Sequence, residues 1–392
     1  MGFGYEEAEL LAQRELEIQH ALAVHRASQV LNIPCLLGPV GGGKTSIAWS
    51  LALKWELTFC PINCGENSDA TDVSGVPVPP LSEEATTQHM RWMLNKYAQM
   101  ACKEPVFLFF DDLDKAPPPV QSALLAIFAN RMFRDQALHP GTLVMCAGNR
   151  VGDDEYANAI SESLRTRMTI LEMEPDPTSF AKYGTRPSPF AHEVREDPSA
   201  QMVHPTILGY LQYKLEHLHM WREGVNRFPT PRGWWECSRH FYAYPDPQKN
   251  PFPGGRDDAW RAIVARKVGD HVANDFWAWF KIISKIDVAT LLTTGTLMYS
   301  GDSSDHRMAQ YAAIFAVAQQ LAKKVDKKYV GLEKFLKDLA PEMRVAFVVQ
   351  LPLRTRSAIA TTFPSAASLM MSDIVRTADS KAVLRPQTGS QA

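Results

Sequence analysis

The 392-residue sequence predicts a three-layer α/β sandwich around a parallel sheet in its first 175 residues, followed by a helical region. Three observations predict it. Short apolar runs alternate with helical segments up to about Pro175, the pattern of a parallel sheet covered by helices on both faces. The run at 106–110 is apolar throughout, as a strand buried on both faces must be. Beyond Pro175 the strand signals stop and helical spacing takes over.

Each element follows in order. Residues 6–31 read as a helix with Leu11, Ile18 and Leu22 on one face. Residues 33–37 form a short strand that runs into a glycine loop, and 45–53 a helix. Residues 57–62 are the second strand, 63–80 a loop rich in Asn, Asp, Gly and Pro, and 86–100 a helix. After the strand at 106–110, Pro117 opens a helix, where the missing amide costs nothing. Residues 143–147 and 168–173 supply two more strands. A Pro-rich linker then carries Asp176-Pro177, Arg186-Pro187 and Asp197-Pro198, and helices are expected at 206–221, 231–242, 259–286 and 306–324. The expected organisation is a core at 1–175, a linker and helical lid at 176–290, a helical extension at 291–376 and a disordered polar tail at 377–392.

Composition narrows the class. Charged residues make up 21% and hydrophobic ones 45%, enough to bury a sizeable core. The formal net charge of -2 does not point to a nucleic-acid binder, though a local basic surface is compatible with it. No apolar stretch is long enough to span a bilayer, and the segment around Glu6 and Glu7 has no apolar signal core. Gly2 lacks the Ser or Thr that an acylation signal wants at position 6. Cys60 and Cys64 have no second Cys/His pair at zinc spacing, so the six cysteines are expected to be reduced thiols in a cytoplasmic protein.

The chemistry lies in two motifs. Gly38-Pro39-Val40-Gly41-Gly42-Gly43-Lys44-Thr45 fits G-x-x-x-x-G-K-[ST], the Walker A loop, between a strand and a helix. Its glycines let backbone N–H groups converge on phosphate, and the helix N-terminus adds its positive end. ATP with Mg²⁺ is therefore expected, bound by Gly38, Gly41, Gly42, Gly43, Lys44, Thr45 and Ser46. Lys44 is assigned to the β- and γ-phosphates and Thr45 to Mg²⁺. The strand ending in Asp111-Asp112 is the Walker B candidate, with Asp111 holding Mg²⁺ directly or through water. Asp112 takes the water-polarising position, where most such proteins have Glu. The missing methylene leaves its carboxylate about 1.5 Å short, so hydrolysis is expected to be slow or relayed by a further water.

From Asp111 to Leu125 the sequence resembles the MoxR branch of the AAA+ ATPases, with Ala116-Pro117-Pro118-x-Val120-Gln121-x-Ala123-Leu124-Leu125 carrying the likeness. Residues 131–142 resemble the β-hairpin that precedes sensor 1, and residues 144–150 the sensor 1 strand. The resemblance, over about residues 30–290, implies that the sensor 1 strand separates the two Walker strands. It also implies that Asn149 helps position the attacking water. Leu164-Arg165-Thr166-Arg167-Met168 resembles the arginine-finger element, with Arg167 as the finger and Arg165 as its rival. Pro231-Arg232-Gly233-Trp234 resembles the start of a lid helix, with Arg232 as sensor 2. The loop around Asp72–Pro77 resembles one that faces a ring channel. A finger acting in trans implies a homo-oligomeric ring, expected to be a hexamer. The leading expectation is an ATPase that remodels a protein client, with a separate von Willebrand A domain partner. A nucleic-acid motor and a nucleotide-gated scaffold are the alternatives. Lys323, Lys324, Lys327 and Lys328 are expected on a solvated face, and Trp277, Trp279 and Phe280 in a core.

Overall fold

Alternate residues along the strand at Val106–Asp111 point to opposite faces, and that alternation organises the first unit. Phe107 and Phe109 pack with one buried cluster, while Leu108 and Phe110 pack with another. The computed structural model describes residues 2–24, 33–79, 91–154, 157–186, 201–221, 224–243, 259–298 and 303–372. The chain divides into two units, Met1–Asp176 and Pro177–Ala392.

The first unit runs α1 (Tyr5–Val24), β1 (Ile33–Leu37), α2 (Lys44–Lys54), β2 (Thr58–Asn63), α3 (Ala70–Ser74), β3 (Val76–Val78), β4 (Arg91–Met93), α4 (Lys96–Lys103), β5 (Val106–Asp111), α5 (Pro118–Asn130), β6 (Met132–Phe133), β7 (Gln136–Ala137), β8 (Leu143–Gly148), α6 (Glu162–Arg165) and β9 (Met168–Glu172). Five strands form a parallel sheet in the order β2-β5-β8-β1-β9. β8 therefore lies between the Walker B strand β5 and the Walker A strand β1, as expected. Helices α1 and α2 cover one face through Ala8, Ala12, Leu16, Ile47 and Leu51, and α5 covers the other through Val120, Leu124 and Phe128. This is the expected three-layer α/β sandwich around a parallel sheet.

Several local expectations are corrected. In α1 the sheet-facing residues are Ala8, Ala12, Leu16 and Gln19, whereas Ile18 is exposed. Gln19 pairs both ends of its amide with the Val144 backbone, at 3.0 and 2.7 Å. Periodicity in large residues misses this face because two alanines and a glutamine make it. Residues 25–31 of the expected helix lie outside the described residues. The expected loop at 63–80 contains α3 and β3. Asp69 and Asp72 form a reciprocal capping box that starts α3. Of the expected helix at 86–100, residues 91–93 are strand β4, paired antiparallel with β3, and α4 begins only after Asn95, which caps Ala98 N–H. Residues 86–90 lie outside the described residues.

The second unit is helical: α7 (Pro177–Gly184), α8 (Pro205–Tyr213), α9 (Pro231–Ala243), α10 (Ala259–Val268), α11 (Asp270–Ile283), α12 (Val288–Thr294), α13 (Ser303–Lys323), α14 (Leu332–Asp338), α15 (Pro341–Gln350) and α16 (Leu353–Thr362), with residues 364–372 also helical. Pro177, expected in a linker, opens α7 instead. The expected helix at 206–221 stops at Tyr213 and continues as a 3₁₀ turn at Leu215–Leu218. The expected helix at 259–286 is broken at Gly269, which has φ +91° and stands where a Cβ would meet Arg227 O at 2.8 Å. One cluster centres on Tyr210, Trp234, Phe276 and Trp279, with Phe241 and Trp260 stacked at 4.0 Å. Trp277 and Phe280 pack partly buried against it. A second gathers Leu291, Val317, Leu332 and Phe347. Lys324 and Lys328 are exposed beside Asp326. The polar tail expected at 377–392 lies outside the described residues.

Candidate nucleotide site

β1 ends at Leu37 and α2 begins at Lys44, and the glycine loop fills the six residues between them. Gly38 sits where a Cβ would lie 2.7 Å from Met173 O, so only glycine fits there. Gly43 caps α2 in the left-handed conformation, φ 97°, and no side chain caps the helix. The first-turn N–H groups are thus left for an anion from outside. A Cβ on Gly43 would approach the Tyr5 ring at 3.2 Å, which places α1's first residue beside the loop.

The Lys44 side chain is buried and turns back over the loop. Its ammonium donates to Gly38 O at 2.8 Å, Pro39 O at 3.0 Å and Asn149 Oδ1 at 2.9 Å. Those three oxygens stand in for phosphate acceptors. Thr45 Oγ1 donates to Asp111 Oδ2 at 2.8 Å, joining the two Walker motifs directly. A hydroxyl and a carboxylate at that separation are a fitting oxygen pair for a small hard cation such as Mg²⁺. The residues present therefore fit both a triphosphate and its metal.

Asp112 follows β5 in the left-handed region at φ 51°, and its N–H donates to Asp111 Oδ1 at 3.1 Å. Burial raises its carboxyl pKa, and the neighbouring charges of Asp111 and Asp114 raise it further, against Lys44 and Lys115. Cys64 lies near the same carboxylates; burial first, then Asp111, Asp112 and Asp114, push its thiol up and keep it neutral.

Asn149 follows the end of β8. Its amide bridges Lys44 on one side and Asp114 on the other, where Nδ2 donates to Asp114 Oδ2 at 3.2 Å. Lys115 pairs with Asp154 at 2.5 Å. Burial opposes the Lys115 charge, but its bond to Asp154 and the charge of Asp114 outweigh it and raise its pKa. Arg150 holds Asp153 at 2.6 Å and Glu174 at 2.5 Å, and the bond to Glu174 chiefly raises its pKa.

The structure thus gathers Lys44, Thr45, Asp111, Asp112 and Asn149 around one loop. Arg165 and Arg167 lie apart from that group, at α6 and its exit. Arg167 Nη1 donates to Ser163 O at 2.7 Å, whereas Arg165 is exposed. Arg232 is exposed in the first turn of α9, in the second unit. Sequence reasoning missed Asp114, Lys115, Asp154 and Tyr5. Asp114 had a signal in the Asp-Asp-x-Asp spacing, whereas Tyr5 and Asp154 reach the site through the fold alone.

Residues 34–173 match the model of the ATPase family associated with various cellular activities (AAA). No curated protein matches the chain significantly. Similar solved structures include the Thermotoga maritima RuvB Holliday junction branch migration motor, at 16% identity and TM-score 0.38, covering 74% of this chain and 76% of that one. One point mutant of the same Thermotoga maritima protein matches at 17% identity and TM-score 0.37, covering 74% of this chain and 76% of that one. Another matches at 14% identity and TM-score 0.37, covering 72% and 76%.

Proposed function

With an AAA ATPase domain over residues 34–173 as the premise, we propose that the chain is a MoxR-type ring ATPase that converts ATP hydrolysis into remodelling of a protein partner. The observation that carries the ATPase reading is the convergence of Lys44, Asn149, Thr45 and Asp111 through bonds of 2.8–2.9 Å. Lys44 exchanges its loop carbonyls for phosphate oxygens. Thr45 and Asp111 would hold Mg²⁺, which when bound neutralises phosphate charge. Asp112 takes a proton from the attacking water, and Asn149 orients that water. The left-handed backbone at Asp112 aims a short side chain from a turn rather than from the strand itself.

The MoxR assignment rests on the Asp111–Leu125 sequence, and the ring on an arginine finger that acts across an interface. Arg167 is the finger in this reading. Its bond to Ser163 O must open for it to reach a neighbour, while Arg165 starts exposed. Arg232 acts as sensor 2 from the helical unit, and a hexamer acting on a client is the working assembly.

One observation favours a second reading, a nucleic-acid motor. The first 176 residues hold 13 Lys and Arg against 23 Asp and Glu, while the remaining 216 hold 28 against 20. The near-zero total hides a basic helical half, and charge asymmetry between halves accompanies polyanion binding. The deciding experiment is Mg²⁺-dependent ATP turnover, measured alone and with single- or double-stranded DNA. Turnover unaffected by DNA supports the protein remodeller, DNA stimulation supports the motor, and ATP binding without turnover leaves a nucleotide-gated scaffold.

A further inference from the structure

Asp114 is a fully buried acid that the proposed chemistry leaves unused. A buried carboxylate needs strong hydrogen bonds to be tolerated. Its Oδ1 accepts the backbone N–H of Asn149 at 2.7 Å, and its Oδ2 accepts Asn149 Nδ2 at 3.2 Å. Lys115 Nζ stands 3.4 Å from Oδ2. Gly148 permits this approach, since a Cβ there would lie 2.9 Å from Oδ1. The Asp114 carbonyl also accepts the N–H of Asn158 at 2.9 Å, which fixes the backbone from the other side.

An ionised carboxylate can only accept hydrogen bonds, and an ammonium can only donate them. Asn149 lies between the Lys44 ammonium and two carboxylates, Asp114 at 3.2 Å and the more distant Asp154 at 3.5 Å. Its nitrogen end must face Asp114 and its oxygen end must face Lys44, 2.9 Å away. Reversal would set N–H against ammonium and oxygen against carboxylate, two repulsive contacts at once.

We propose that Asp114 is a positioning residue that fixes the polarity of Asn149, so that an acceptor oxygen faces the phosphate side of the site. This rests on the ATPase reading above. A water that donates a hydrogen to Asn149 Oδ1 keeps a lone pair for phosphorus. A water that accepts an N–H instead spends one of its two lone pairs on the amide and loses the acceptor that holds its proton, which makes it a weaker and misoriented nucleophile. Asp114 thereby determines whether Asn149 assists attack or weakens it.

The test exchanges the two groups. In Asp114→Asn the new amide still accepts the Asn149 backbone N–H, but it offers its NH₂ to the Asn149 side chain and turns that oxygen away from Lys44. The kcat should fall about 100-fold, the scale for losing one preorganised polar contact. The ATP dissociation constant should change by less than about 5-fold, because the phosphate contacts remain. Asp114→Asn placed on Asn149→Ala should cost nothing further, because its effect passes through Asn149. The double variant Asp114→Asn/Asn149→Asp restores the donor order: the amide at 114 donates to the carboxylate at 149, which accepts from Lys44. It should recover turnover to within about 10-fold of the parent. The readout independent of turnover is the NMR signal of the Asn149 side-chain NH₂ in nucleotide-free protein, assigned by its loss in Asn149→Ala. It should shift on Asp114→Asn while the Asn149 backbone amide stays hydrogen-bonded. An Asp114→Asn protein with parental kcat, or an exchanged double variant as defective as the single ones in folding or turnover, overturns the proposal. A parent protein without turnover overturns the ATPase reading instead, and an unmoved NH₂ signal then overturns the Asp114 role separately.

Discussion

Replacing Lys44 with alanine removes an ammonium whose three protons are all engaged, on Gly38 O, Pro39 O and Asn149 Oδ1 at 2.8–3.0 Å. Phosphate oxygens have to take over from those acceptors when ATP binds. A hydrogen bond to a charged group contributes about 1.5–3 kcal/mol. Loss of one such contact weakens binding by roughly 10- to 150-fold, at tenfold for each ~1.4 kcal/mol, and loss of two compounds it. Alanine also takes the Lys44 donor from the Gly38 carbonyl and the Asn149 amide oxygen in a buried site, while Pro39 O keeps the Gly42 N–H at 3.2 Å, so the nucleotide-free protein should melt earlier. Lys44→Met keeps most of the aliphatic stem; it should match the affinity loss while costing less stability. Isothermal titration with a non-hydrolysable ATP analogue and Mg²⁺ measures the first effect, and differential scanning calorimetry the second. An affinity within about 3-fold of the parent protein would refute the assignment of Lys44 to phosphate.

Asp112→Asn should keep ATP binding and lose turnover. It should also raise the melting temperature of the nucleotide-free protein at pH 7, because burial and the charges of Asp111 and Asp114 raise the folded-state pKa of Asp112. Its ionisation therefore costs stability above the unfolded value of 3.8, and the gain from asparagine should vanish as pH falls toward 4. Asp112→Glu should hydrolyse ATP as fast as the parent or faster in a phosphate-release assay; a dead variant would mean that the left-handed turn is tuned to the shorter acid. Arg167→Ala should bind ATP, lose turnover and regain some when mixed with Lys44→Ala, whereas Arg165→Ala should lose less. A concentration-independent monomeric ATPase would contradict the ring, and a dead Arg165→Ala beside an active Arg167→Ala would transfer the finger to the exposed arginine.

The sheet is legible in the sequence because its strands are apolar runs bounded by glycine, proline and acids, and because the Walker A loop fixes where a strand must hand over to a helix. Strand order comes from resemblance rather than from periodicity, which says nothing about neighbours. The errors share a physical cause. Asp69 and Asp72 look like loop residues because capping acids and turn acids have the same composition, and only their reciprocal bonds distinguish them. Pro177 looks like a breaker because proline both ends and begins helices. Gly269 is invisible as a break because one glycine within helical spacing is ordinarily tolerated. In the site, the phosphate and metal residues are adjacent in sequence to their motifs. Asp114 lies in such a motif too, but its importance rests on a side chain 35 positions away, which spacing cannot reveal.

The two small hairpins give the central strand a further property. Arg134, at the turn between β6 and β7, lies over the Trp92 ring of β4 at 4.2 Å, and Gln136 Nε2 donates to Trp92 O at 3.2 Å. The antiparallel pairs β3–β4 and β6–β7 are thus clasped to each other. The β6–β7 hairpin leads into β8 through residues 138–142, where Arg131 Nη2 grips the carbonyls of His139 and Thr142 at 3.1 and 2.6 Å. β8 is six residues long, about 20 Å, and hydrogen-bonded on both edges. The clasp and Asn149 therefore stand at opposite ends of one strand paired on both sides.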